Sequence, residues 1–252
     1  AGRPIRRDTV MPHRPDTSRT REWHTIRMIS AGSLAEGIVG AASGTIAIAG
    51  LFGFYPVVML SPSDTTLITG GSEERRRFLN LIISQYDPAY LEAHMRYNKA
   101  LMQRNRILRD DSANQSGLLE IYDEQMVPEA GMIYNARRSL TENLLPLFRS
   151  YYERISGGAE KVSIRYRSHL SSGDFRQQLA DSRERDYAMQ HTTMGIHRDD
   201  LVFEIEGHSA RTTASQGQQK SFIVALKLAK FGLISRMNGF APALLLDDIF
   251  DK

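Results

Sequence analysis

The stretch Thr213-Ala214-Ser215-Gln216-Gly217-Gln218-Gln219-Lys220-Ser221 opens a helical pattern in which Phe222, Leu226, Ala229 and Leu233 recur at 4-3-4 spacing. About thirty residues further on, a short apolar run, Ala243-Leu244-Leu245-Leu246, stops at two acids, Asp247 and Asp248. A helix that begins Ser-x-Gly offers an anion its unpaired backbone N–H groups and the positive end of its dipole, and a glycine there lets a phosphate come close. Ser215 and Gln218 are equally spaced for a capping box, which needs no ligand. Acids at the carboxyl end of a buried strand project into the crevice where α/β sheets place ligands. Asp247 suits Mg²⁺ there, and Asp248 suits orienting a water for attack on a phosphate. A pair of acids that ends a strand and caps a helix has the same pattern.

The rest of the composition narrows the setting. A chain of 252 residues with 41% hydrophobic content forms a real core, as one large domain or two small ones. It has no cysteine, which rules out disulfide frameworks and thiolate zinc sites and fits a reducing, cytoplasmic location. No run approaches the roughly eighteen apolar residues of a membrane span, and the Arg-rich start lacks the apolar centre of a secretory signal. No membrane association is expected. A formal charge of +3 and a pI near 9.2 permit an anionic partner such as DNA.

In chain order, residues 1–54 stand apart: Arg-rich to Arg27, then rich in Gly, Ala and Ser from Ala31 to Gly50. No lysine precedes Lys99, and the G-x-x-x-x-G spacing at Gly32 and Gly37 is followed by Ile38-Val39, so no phosphate-cradling loop of the G-K-[ST] type is present there. Tyr55 to Leu60 reads as a short buried strand within a segment 55–72, and Ser61-Pro62-Ser63-Asp64 as a turn. Ser72 is the expected N-cap of a helix with Glu73 and Glu74 in its first turn. Arg75, Arg76 and Arg77 follow, either a solvated face or contacts to nucleic-acid or nucleotide phosphates.

Tyr90, Tyr97, Leu101 and Leu108 then mark one long helix, with Gln103-Arg104-Asn105-Arg106 late in it. Ile133, Leu140, Leu144, Leu147 and Tyr151 mark a second, which Pro128 and Pro146 should kink or interrupt. Residues 73–156 are therefore expected to form an antiparallel helical hairpin, an arm beside the main domain. In 157–252, Val162 to Tyr166 alternates as a half-exposed strand and Phe175 to Arg185 suits a short helix. Gly195-Ile196-His197-Arg198-Asp199-Asp200 has the residue types of a polar site or of a loop salt-bridge cluster, before a strand Leu201–Ile205.

Five blocks in order resemble the RecF family of bacterial recombination-repair ATPases, relatives of the SMC proteins. They are Leu60-Ser61-Pro62-Ser63-Asp64 with Thr69 to Leu79, Tyr97 to Asn105, Gly195 to Leu201, Ser215 to Lys220, and Leu244 to Asp248. The resemblance covers roughly residues 55 to 252 and implies a mixed α/β fold, part of an ABC-type ATPase head with an inserted helical-hairpin arm as its second lobe. By it, Ser215, Gln216, Gly217 and Gln218 are the signature that completes an ATP site on the opposite subunit of an ATP-dependent homodimer. Asp247 is the Mg²⁺ ligand and Asp248 the catalytic acid that positions water. Arg75, Arg76, Arg77, Arg104, His197 and Arg198 are candidate DNA or phosphate contacts.

The resemblance further implies binding of single-stranded, gapped or junction DNA. It also implies work with RecR and RecO to load RecA, and roles in replication and the SOS response. Two departures stand out: the phosphate loop and glutamine loop have no counterpart in residues 1–54, and Ile196 stands where proline is expected. A chain whose first residues are foreign to the fold is the simplest expectation, with very weak ATP binding of its own. The alternative is a nucleic-acid-binding or partner-docking chain without ATP turnover.

Overall fold

The computed structural model describes residues 57–110 and 116–246. Two small sheets hold it together. Strand β1 (Val57–Leu60) pairs in parallel with β5 (Ala243–Leu246), in a register that sets Val57 opposite Ala243 and Leu60 opposite Leu246. Strand β2 (Val162–Arg167) runs antiparallel to β3 (Asp200–Ile205). β3 returns to β4 (His208–Ser209) through a two-residue turn in which Glu206 and Gly207 both have positive φ, 50° and 76°. That twist matches the twist of the strands it joins.

The helices are α1 (Thr66–Thr69), α2 (Ser72–Ile83), α3 (Pro88–Leu108), α4 (Ser116–Ser156), α5 (Phe175–Asp181), α6 (Arg183–Met189), α7 (Ala210–Thr213) and α8 (Gln216–Asn238). Asp87 starts α3 as N-cap, accepting from Tyr90 N, and Pro88 supplies a fixed φ at its first position. Gly71, rather than Ser72, caps α2, so Ser72 falls in the first turn and its hydroxyl takes a bond from Arg76 instead.

Helix α4 is unbroken through Pro128 and Pro146. A proline deprives the carbonyl four residues back of its donor, here Glu124 and Glu142. Both prolines and both of those glutamates lie on the exposed face, where a freed carbonyl can bond to water. The buried side of α4 carries Leu119, Met126, Ala130, Ile133, Leu140, Leu144, Phe148 and Tyr152. The expected stripe drifts by one residue at its end: Phe148 and Tyr152 are inside, whereas Leu147 and Tyr151 are half-buried. Steps of four residues keep pace there with a straight helix, which turns once in 3.6.

The stripe of the α3–α4 hairpin joins the hydrophobic cluster that includes Val58, Phe203 and Phe222, and its tip carries a separate small cluster, Ile107, Leu108 and Leu119. Phe222 of α8 packs its ring 4.6 Å from Phe148 and 5.2 Å from Phe203, so one side chain joins α8, α4 and β3. Truncating such a ring costs about 3–5 kcal/mol.

Candidate nucleotide and nucleic-acid site

The start of α8 has the geometry that its sequence implies. Ser215 Oγ accepts from Gln218 N at 3.2 Å, and Ser215 N donates to Gln218 Oε1 at 2.7 Å, a complete capping box. The box uses the amide of Gln218, but the amides of Gln216 and Gly217 have no carbonyl one turn behind them. Ser215, Gln216 and Gly217 are all exposed. A Cβ built on Gly217 would meet nothing closer than Ser215 Oγ at 4.0 Å, so packing within the chain does not require glycine. Its missing side chain leaves the helix start open to an external group. Cap and anion site are thus compatible, since the cap orients the turn and leaves two donors free.

The register of β1 and β5 sets Leu246 opposite Leu60, so β5 ends beside the start of the Ser61 turn. Asp247 and Asp248 lie outside the described residues. In that turn, Asp64 accepts from Ser61 N at 2.8 Å and from Lys227 Nζ at 2.6 Å, while Lys227 also donates to Met59 O at 3.0 Å. One buried lysine of α8 therefore fastens the helix to the end of β1. Lys230, one turn on, is buried too, and burial with the nearby Lys227 charge lowers its pKa to about 8. Among the described residues no group of three His, Asp or Glu is placed to hold a metal ion.

The Gly195–Asp200 segment is held by a buried polar network. Gly195 has φ 129°, and a Cβ there would collide with the Tyr97 hydroxyl, so glycine is required. His197 Nδ1 lies 2.9 Å from Tyr97 Oη, and Nε2 lies 3.0 Å from Thr192 O. A carbonyl can only accept, so Nε2 carries the proton and Nδ1 accepts from the tyrosine. Burial lowers the His197 pKa to about 4 against the pull of the Thr192 carbonyl, and the Arg198 and Arg76 charges add to the lowering.

Asp199, wholly buried, takes Arg137 at 2.7 Å and a bond from the Tyr166 hydroxyl. Arg137 also donates to Ile196 O at 2.8 Å, Asn80 Oδ1 at 3.0 Å and Tyr90 Oη at 3.1 Å. Burial opposes the Arg137 charge, but Tyr90, Asp199 and Tyr166 outweigh it and raise the pKa. Burial pushes the Asp199 carboxyl upward, with Arg137 the main opposing influence.

The candidate phosphate contacts divide sharply. Arg75 is buried, with Nε 2.6 Å from Asp200 Oδ1 and further bonds to Leu67 O and Gly70 O. Arg104 is wholly buried, donating to Asp123 at 2.6 Å, Asp186 at 2.7 Å and Thr192 Oγ1 at 2.9 Å. Neither guanidinium is placed to contact a phosphate without breaking these pairs. Arg76 is half-buried and holds Asp199 O at 2.8 Å, whereas Arg77 and Arg198 are exposed. His197 faces inward on Tyr97.

The hubs Arg137, Asp123 and Asp186, and the clamp Lys227, are absent from the sequence-based candidates. A signal for two of the buried arginines exists: Arg137 stands four residues after Ile133 and three before Leu140, and Arg104 seven after Tyr97, charged residues on apolar stripes.

No family model matches the chain. The DNA replication and repair protein RecF of Parabacteroides distasonis is 47% identical over 200 residues, 79% of this chain and 54% of that protein. Its counterpart in Bacteroides thetaiotaomicron is 44% identical over the same shares. Over this region the chain is similar to RecF. The chain spans about half the length of the curated RecF proteins it matches. Its fold is that of RecF as well. A solved structure of the recombination mediator protein RecF with ATPrS in the RecFOR pathway superposes with a TM-score of 0.76 at 29% identity, covering 81% of this chain and 58% of that one. The corresponding RecF-ATP structure gives 0.74 at 29% identity, covering 80% and 58%. The mixed α/β, RecF-like architecture expected from the five blocks is thereby shown, and the Ser215 helix start and the paired ends of β1 and β5 lie within the region that is similar to RecF. Among the described residues no helix is long and apolar enough to cross a membrane.

Proposed function

We propose that this chain acts in DNA repair and recombination as a RecF-type, ABC-like ATPase subunit that offers its signature turn to a nucleotide held by a partner subunit. The observation that carries this reading is the open, capped start of α8. Ser215 is fixed by Gln218, and Gly217 has no side chain where none is needed for packing. The amides of Gln216 and Gly217 and the Ser215 hydroxyl would bind the outer phosphate of ATP across a homodimer interface. In the same reading Asp247 would hold Mg²⁺, which supplies charge neutralisation on the phosphates, and Asp248 would orient the attacking water.

DNA, as single strands or gapped junctions, would be held by the exposed Arg77 and Arg198, with Arg76 beside them, in the ATP-bound dimer. RecR and RecO are the partners proposed for loading RecA, in a cytoplasmic setting with roles in replication and the SOS response. This chain has no G-x-x-x-x-G-K-[ST] stretch, so its own ATP affinity is expected to be weaker than about 1 mM.

The test is complementation in trans. The chain is mixed with a full-length RecF that carries a phosphate loop, and association is followed by analytical ultracentrifugation with and without ATP. ATP-dependent association that Ser215→Arg abolishes is expected. Association indifferent to ATP, or to the arginine, refutes the reading.

A further inference from the structure

The outer end of the Gln218 side chain is tied to an acid from a different element. Gln218 Nε2 donates to Glu160 Oε1 at 2.7 Å, and the other oxygen, Oε2, accepts from Tyr152 Oη at 2.5 Å. Tyr152 lies in the last turns of α4, buried, with its ring 6.1 Å from both Phe148 and Phe222. The chain of contacts therefore runs from the core between α4 and α8, through Tyr152 and Glu160, into Gln218, and from Gln218 Oε1 to the backbone of Ser215.

An ionised carboxylate only accepts hydrogen bonds, so Glu160 repels the Gln218 carbonyl oxygen and attracts its NH₂. That fixes the amide in the one sense that closes the capping box. The Ser215 N–H, which can bond only to Oε1, selects the same sense, and Glu160 reinforces it from the other end of the amide. Hydrogen bonds from Tyr152 first, and from Gln218, hold the Glu160 carboxyl below the usual range, so the acid is ionised at neutral pH.

We infer that Glu160 is a positioning residue for the signature turn, transmitting the placement of helix α4 to Ser215 and so setting how well the turn engages a partner's nucleotide. The inference rests on the signature reading of Ser215 to Gln218. It adds a residue outside every motif, and it makes the long helix, through Tyr152, an input to nucleotide engagement.

The test exploits the polarity of the bond. Gln218→Glu sets two carboxylates against each other. Adding Glu160→Gln restores complementarity in the reverse sense. The amide introduced at position 160 donates to the carboxylate introduced at position 218, that carboxylate accepts from Ser215 N, and the amide's own oxygen accepts from Tyr152. Two readouts are taken on the whole chain: amide hydrogen exchange at Ser215, and ATP-dependent association with a full-length RecF carrying a phosphate loop. Q218E should speed Ser215 exchange and weaken association ~10-fold, as loss of a charge-assisted bond does, and E160Q/Q218E should recover most of both.

If S215R abolishes association while Q218E leaves it unchanged, the inference about Glu160 is overturned and the signature reading stands. Should S215R itself have no effect, the signature reading falls, and unchanged Ser215 exchange in Q218E would overturn the positioning role separately. A Q218E defect that E160Q fails to repair, in a double variant with wild-type thermal stability, also overturns it.

Discussion

Arg137 of α4 and Asp199 of the Gly195–Asp200 segment meet at 2.7 Å with 1% and 0% of their side chains exposed. Every other side-chain bond of Arg137 also leads to α2, α3 or that segment, so the pair joins the long helix to the loop before β3. Removing one member leaves the other charged and dry. Arg137→Met is expected to destabilise the chain by about 3–5 kcal/mol in urea unfolding. A loss below ~1 kcal/mol would show that the network contributes little.

Acid should act through two imidazoles. Burial lowers both His94 and His197 to about 4. Their folded pKa values lie below the unfolded value near 6.5, so between those limits the unfolded state binds more protons. Stability is thus complete above about pH 6.5 and declines as pH falls toward 4, by roughly 2–3 kcal/mol from His197 alone. Ring carbon–proton NMR signals of both residues should stay at their neutral positions down to pH 5. A midpoint near 6.5 for His197 would contradict the inward orientation of its ring.

Lys230 predicts a dependence of the same sign in the alkaline range. Its pKa of about 8 lies below the ordinary 10.5, so the folded state loses its proton first and the charged lysine is a penalty at and below pH 8. Relief grows between pH 8 and 10.5, where the unfolded chain still holds its proton, to at most about 3 kcal/mol. The difference in unfolding free energy between wild type and Lys230→Met should therefore favour the variant at pH 7.5 and shrink by pH 10.

The Arg75–Arg77 run should behave as two unlike residues. Arg77→Ala is expected to leave the melting temperature unchanged and to lower the salt slope of DNA binding by about one. Arg75→Ala removes a buried partner of Asp200 and should destabilise by several kcal/mol, about 3 in order of magnitude. Equal effects on DNA affinity at unchanged stability would show that Arg75 leaves its pocket to meet phosphate.

Periodic and capped elements were legible from sequence because local chemistry decides them. The box of Ser215 and Gln218, the stripe Phe222 to Leu233, and the alternation Val162 to Tyr166 are all properties of a few adjacent residues. Where distant residues decide, the pattern misled: Arg75 and Arg104 look like surface cations until Asp200, Asp123 and Asp186 come from elsewhere in the chain to bury them. Pro128 and Pro146 looked like breaks because sequence does not show that the carbonyls they orphan face water. The stripe of the hairpin does not say which other helix covers it, and only the fold brings α8 against α4. Glu160 carries no motif at all, and only the fold puts it within reach of Gln218.

The pairing of β1 with β5 has a consequence for synthesis. Val57 leaves the ribosome well before its partner Ala243, which follows roughly 190 residues later. At about 5–20 residues per second β1 waits some ten to forty seconds for its mate. The long helix and the β2–β3 hairpin are complete by then, and Lys227 is already available to grip Met59 and Asp64. The edge that carries Ser61 is therefore the last part of the described structure to close, which makes it the step most exposed to chaperones, to proteolysis and to any partner that arrives before translation ends.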